Sequence, residues 1–93
     1  MDENQIGKQI IDSALSVHRA LGPGLLEGAY ETCLAYELSE RGLFVETQKA
    51  LPLTYKGLVM ERGYRLDMLV NELVVVELKS VETITDVHRA QVL

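Results

Sequence analysis

The stretch YRLDMLVNELVVVELKS, residues 64–80, is the most informative part of this chain. Its Val- and Leu-rich halves flank Asn71-Glu72, a pattern that predicts two antiparallel strands joined by a tight turn. Asp67, Glu77 and Lys79 interrupt these apolar runs. Because an isolated charge is costly to bury, we expect the three side chains to lie together or to reach solvent.

The chain before this hairpin shows helical periodicity. Apolar residues spaced by three and four predict an amphipathic helix over residues 6–21, which Gly22-Pro23-Gly24 ends. A second helix is predicted from about Leu25 to Arg41, with Gly42 at its C′ position.

After Gly42 the pattern changes to partial alternation with β-branched and aromatic residues. It predicts three antiparallel strands, at about residues 44–55, 58–70 and 73–79. Pro52 indicates that the first strand is an edge strand or is interrupted there. The prediction is an α+β fold with two N-terminal helices, a three-stranded antiparallel sheet and then a helix.

The last predicted helix starts at a cap formed by Thr85 or Asp86 and reaches Leu93 after barely two turns. Its apolar end, QVL, has no following element to cover it. We therefore expect one domain over residues 1–93 that is truncated at its C-terminus or completed by a partner, a frayed end being the alternative.

Charge and composition exclude several classes of protein. The net charge is −5, all of it in residues 1–48, which argues against a protein that coats nucleic acid non-specifically. The chain has neither a long apolar run nor the basic start of a signal peptide, so no membrane segment is expected. With Cys33 as its one cysteine, the chain forms no internal disulfide, and a cytoplasmic location is expected.

The length of the turn decides whether the charged residues meet. A two-residue turn pairs position 67 with 76, which puts Asp67 and Glu77 on opposite faces. A three-residue loop over 71–73, or a bulge, pairs 67 with 77 and places Asp67, Glu77 and Lys79 on one face. A functional site requires the second register.

Two neighbouring carboxylates repel each other, and a hard divalent cation such as Mg²⁺ relieves that repulsion. In this interpretation Asp67 and Glu77 bind the ion, the Leu78 carbonyl adds an oxygen ligand and Lys79 orients an attacking water. A salt bridge between Lys79 and either carboxylate is the structural alternative.

The second helix adds Glu27 and Glu37, which a helical wheel places within its apolar arc. A carboxylate that faces the core is expected to be paired, hydrogen-bonded or bound to metal. The structural alternatives for each of them are an ion pair with an arginine of the sheet, or a side chain that reaches solvent from the end of the helix.

The segment GLLEGAY, residues 24–30, matches the Gly-x-x-Glu-x-x-Tyr signature that names a family of small prokaryotic proteins. Further matches are ELSERGLFVETQ, LPLTYKG, YRLDMLV, VVVELKSVE and VHRAQVL. The chain thus resembles this GxxExxY family, a branch of the PD-(D/E)XK nuclease superfamily, from about Ile6 to Leu93.

The resemblance implies a restriction-endonuclease-like core that lacks its final strand here. It implies that Asp67 is the motif aspartate, that Glu77 and Lys79 are the ExK pair, and that Glu27 and Gln91 support the metal site. It also implies a nuclease that uses Mg²⁺ or Mn²⁺ to cleave DNA or RNA.

Two alternatives belong to other classes. One is a non-catalytic module that keeps the nuclease fold and binds nucleic acid or protein. The other is a subunit that a second copy or another chain completes at its open sheet edge.

Overall fold

A computed structural model describes residues 1–78 and the backbone of residues 86–89. Its elements are α1 (Glu3–Leu21), α2 (Glu27–Glu40), β1 (Val45–Tyr55), β2 (Leu58–Val70), β3 (Val74–Glu77) and β4 (Asp86–Arg89). The strands form one antiparallel sheet in the order β1-β2-β3-β4. The predicted α+β fold, with two N-terminal helices before an antiparallel sheet, is confirmed.

The predicted final helix is wrong for the part of it that the structure describes. Residues 86–89 form β4, which pairs with β3 in the register Val74↔Arg89 to Glu77↔Asp86. The physical reason is that the helix propensity of a short segment is weak, whereas the open edge of β3 offers it ladder hydrogen bonds. The rest of the predicted helix lies outside the described residues.

The helices begin and end on local signals. A capping box starts α1, in which the N–H of Gln5 donates to the Asp2 carboxylate and the N–H of Asp2 donates to the Gln5 amide oxygen, each at 2.8 Å. Gly22, with φ 73°, follows its last residue. After α2, the N–H groups of Gly42 and Leu43 donate to the carbonyls of Ser39 and Leu38, a Schellman motif that requires the positive φ of Gly42.

Both helices pack on one face of the sheet, where they form a single core. The most buried core residues have at most 2% of their surface exposed; they are Ile6, Ile10, Ala14, Leu34, Leu38, Met68, Val70, Val74 and Val76. Tyr30, also buried, donates a hydrogen bond from its hydroxyl to the Ala14 carbonyl at 3.2 Å and so joins α2 to α1.

The far end of the β1–β2 hairpin is a two-stranded ribbon outside this core. Its register shifts at Pro52: Leu51 pairs with Tyr64, but Leu53 pairs with Met60, so that one residue faces three on β2. Proline donates no ladder hydrogen bond, which explains why pairing is interrupted there. β1 is also an edge strand of the described sheet, as Pro52 predicted.

Candidate active site on the β2–β3 hairpin

The register of β2 and β3 is the one that a functional site requires. Val70 pairs with Val74, and the ladder continues to Met68↔Val76. The loop therefore contains three residues, 71–73, and continuing the same register brings Asp67 opposite Glu77. The prediction of a three-residue loop is confirmed.

Asn71 explains why the loop takes three residues. Its N–H donates to the Phe44 carbonyl and its side-chain oxygen accepts from the Phe44 N–H, each at 2.7 Å, which extends the pairing of the hairpin with the start of β1. Asn71 and Glu72 both have positive φ, 52° and 56°, and the N–H of Leu73 then donates to the Val70 carbonyl at 3.0 Å. Asparagine is one of the residues that best tolerate this backbone conformation.

Asp67 is tied to the backbone of the ExK motif. Its Oδ2 atom accepts a hydrogen bond from the N–H of Leu78, the residue between Glu77 and Lys79, at 3.0 Å. Its Oδ1 atom lies 4.0 Å from an Arg65 guanidinium nitrogen, and its side chain is 22% exposed. The carboxylate is therefore held in place and still reaches solvent.

The alternation along β3 separates the site from the core. Val74, Val76 and Leu78 are buried in the core, whereas Glu77 is exposed on the other face. Arg65 and Asp67 are two residues apart on β2, so they share a face. The structure thus brings Arg65, Asp67 and the backbone around Glu77 together on the side of the sheet that faces away from the helices.

The donors at this position suit a hard cation. Among the described residues, no three His, Cys, Asp or Glu side chains form a group that could hold a metal ion. Mg²⁺ needs fewer protein ligands than that, since it is usually bound by one or two carboxylates together with waters and substrate phosphates. The carboxylates of Asp67 and Glu77, with the Leu78 carbonyl, fit this pattern.

Glu27 does not face the core as the helical wheel indicated. It is the first residue of α2 and is exposed, as is Leu26 before it at 81%. A helical wheel treats every residue as part of a packed helix. The first turn of α2, however, extends beyond the residues that pack against the core. Glu37 is half-buried and pairs with Arg41 at the end of the same helix, at 3.0 Å, rather than with an arginine of the sheet.

Two of the predicted site residues, Lys79 and Gln91, lie outside the described residues. Glu77 and Leu78 are described, and the Leu78 N–H contacts the Asp67 carboxylate. The roles predicted for Lys79 and Gln91 therefore stay predictions.

A groove of about 470 Å³ opens beside Glu77, and sequence reasoning did not find it. Its lining residues are Leu51, Pro52, Leu53, Thr54, Tyr64, Arg65, Leu66 and Glu77. The groove forms where the strand register shifts at Pro52. That proline was the one signal in the sequence, but it indicated an interruption of the strand and not a concave surface.

A family profile described as the PD-(D/E)XK nuclease superfamily matches residues 4–93. This chain belongs to the PD-(D/E)XK nuclease superfamily. No curated protein and no solved structure matches it. In this PD-(D/E)XK domain, no helix of the described residues combines the length and apolarity needed to cross a membrane.

Proposed function

We propose that this PD-(D/E)XK domain is a metal-dependent phosphodiester hydrolase that cleaves nucleic acid with Mg²⁺ or Mn²⁺. The observation that carries the proposal is the hydrogen bond from the Leu78 N–H to the Asp67 carboxylate, because it joins the motif aspartate to the backbone of the ExK pair. Membership of the nuclease superfamily supports the same reaction class. Membership of its GxxExxY branch is part of the proposal.

Asp67 and Glu77, with the Leu78 carbonyl, would hold the cation. The ion supplies Lewis-acid polarisation of a phosphodiester and lowers the pKa of a water molecule. The Leu78 amide fixes the orientation of Asp67, so this ligand loses little freedom when the cation binds. The family resemblance adds Glu27 and Gln91 to the proposal as supporting residues.

Lys79 follows Glu77 by two residues and would orient the attacking water while stabilising the charge that develops on the phosphoryl group. Arg65, within 4.0 Å of Asp67, would contact a phosphate of the bound substrate and release the aspartate to the cation.

The first experiment is a calorimetric titration of Mn²⁺ into the full chain and into Asp67→Asn and Glu77→Gln. Each variant should bind Mn²⁺ at least about tenfold more weakly, since loss of a supporting partner alone has an effect of that size. Glu72→Gln is the matched control, because it removes the same charge from an exposed position of the same hairpin. Unchanged affinity in Asp67→Asn, or equal loss in the control, would contradict the proposed site.

Cleavage is tested next, with plasmid DNA and a structured RNA in Mg²⁺ or Mn²⁺. Lys79→Ala should lower the rate by about 10² or more, the size of the effect of a lost electrostatic stabiliser. Cleavage at the wild-type rate by Lys79→Ala or Asp67→Asn would overturn the mechanism. Nucleic-acid binding without metal binding or cleavage would support the non-catalytic module instead.

Two further expectations belong to this proposal. A cytoplasmic location agrees with Cys33 as a free thiol, and fractionation of cells that express the protein would test it. Completion by a second copy or another chain agrees with the position of β1 at the edge of the described sheet. A mass in solution that rises with protein concentration would support self-association.

A further inference from the structure

The protruding part of the β1–β2 hairpin, residues 49–65, is here called the arm. It carries four basic side chains and one acidic side chain, a net charge of +3 in a chain of net charge −5. The rest of the chain has five basic and thirteen acidic side chains. The net charges of the two halves of the sequence do not show this contrast, because acidic residues elsewhere in the second half offset the basic residues of the arm.

The basic groups of the arm are accessible. Lys56 and Arg62 are exposed and form no ion pair with any residue that the structure describes; Lys56 lies 5.4 Å from the centre of the Tyr55 ring. Arg62 and Arg65 line one depression of about 330 Å³ together with Tyr64. Arginine binds phosphate through paired N–H donors, so a concave surface lined by two arginines suits a phosphate ligand.

The arm leads directly to the proposed cleavage site. Tyr64 and Arg65 line this depression and also the groove beside Glu77. Arg65 is also 4.0 Å from Asp67. A phosphate backbone that follows the arm therefore runs past the two carboxylates.

The shape of the arm favours double-stranded DNA. Its two strands are about 5 Å apart, and a two-stranded β-ribbon of this kind fits the roughly 12 Å wide major groove of B-DNA. The major groove of duplex RNA is too deep and narrow for such a ribbon. The exposed apolar residues Leu58 and Val59, at 61% and 64%, would contact thymine methyl groups or sugars there.

We propose that the arm is the docking element for duplex DNA, with Lys56, Arg62 and Arg65 contacting its phosphates. The choice of nucleic acid rests on the proposed function, whereas the charge and shape of the arm are independent of it.

The test compares two double variants that each remove two positive charges. Lys56→Asn with Arg62→Gln alters the arm, and Lys8→Gln with Arg19→Gln alters exposed positions of α1. Lys56 has φ 47° and precedes Gly57, and Asn-Gly is a preferred pair for such a turn, so the arm variant should fold. Circular dichroism checks the fold of both.

Binding of a fluorescein-labelled DNA duplex is measured by anisotropy in EDTA over a range of salt concentrations. The arm variant should bind the duplex about tenfold or more weakly than the wild type. The slope of its log affinity against log salt concentration should be smaller in magnitude by about two. The α1 variant should keep nearly the wild-type affinity and slope. Equal losses in both variants, or none in the arm variant, would overturn the proposal. Equal wild-type affinity for duplex RNA or single-stranded DNA would overturn the choice of duplex DNA.

Metal-free binding separates this proposal from the catalytic one. Arm-dependent binding without cleavage in Mg²⁺ or Mn²⁺ would uphold the arm and reject the hydrolase. Cleavage that the arm substitutions leave unchanged would uphold the hydrolase and reject the arm.

Discussion

The Oδ2 atom of Asp67 lies 3.0 Å from the amide nitrogen of Leu78, eleven residues further along the chain. This contact extends the pairing of β2 with β3 beyond the last ladder pair, Met68↔Val76. It joins a charged acceptor to a backbone donor of a buried residue. The same contact therefore holds the strands together and orients a candidate metal ligand.

Asp67→Ala should lower the free energy of unfolding by about 1–2 kcal/mol, because the N–H of Leu78 loses its acceptor. Asp67→Asn keeps an acceptor oxygen and should cost less, about 1 kcal/mol or below. Urea denaturation of both variants measures the difference. If asparagine costs as much as alanine, the charge rather than the hydrogen bond stabilises the hairpin.

Tyr30→Phe should lower the free energy of unfolding by about 1 kcal/mol, since it removes the buried hydrogen bond to the Ala14 carbonyl. The tyrosine of the Gly-x-x-Glu-x-x-Tyr signature thus has a structural role in this chain. Tyr36→Phe, at a residue 68% exposed on the same helix, is the control and should change stability little. Equal effects in thermal denaturation would count against the Tyr30 contact.

Gly63→Ala should destabilise the arm. A Cβ at this position would overlap the Leu53 Cβ, so the strands must move apart, at a cost of about 1–3 kcal/mol. Gly7→Ala within α1 meets nothing within 4 Å and should instead stabilise the protein by about 0.5–1 kcal/mol. Hydrogen exchange of the arm amides measures the first change and urea denaturation the second. Unchanged exchange in Gly63→Ala would show that the strands do not approach this closely.

Glu40→Ala should lower the pKa of Tyr36. The Tyr36 hydroxyl donates a hydrogen bond to Glu40 at 3.2 Å, and this bond, together with the negative charge of Glu40, raises the pKa of Tyr36 above its ordinary value. A raised pKa in the folded state means that the associated stability is complete below the unfolded pKa, about 10, and is lost as pH rises through the folded pKa.

Ultraviolet absorbance of tyrosinate follows this titration, and Tyr36→Phe identifies which of the four tyrosines is responsible. An alkaline titration of Tyr36 that is the same with and without Glu40 would contradict the assigned cause.

Short-range signals explain why the ends of the helices and the interruption of β1 could be predicted from the sequence. The helix stops at Gly22 and Gly42 depend on a positive φ that glycine adopts without strain, and the interruption at Pro52 depends on a missing amide donor. The three-residue loop was one of two registers that the sequence allowed, and it was favoured because it brings Asp67 opposite Glu77. The glycine stops and the proline interruption involve residues close in sequence, so local pattern was enough to predict them, whereas the loop register also depended on the hypothesis of a functional site.

The tertiary structure decided the remaining features. The exposure of Glu27 depends on where α2 starts relative to the packed layer, and the pairing of residues 86–89 depends on an open edge of β3. The groove at Glu77 and the basic arm arise only when a register shift and distant charges are placed in space. Periodicity records which side of an element is apolar, but the other surface that this side meets is determined by the packing of the whole chain.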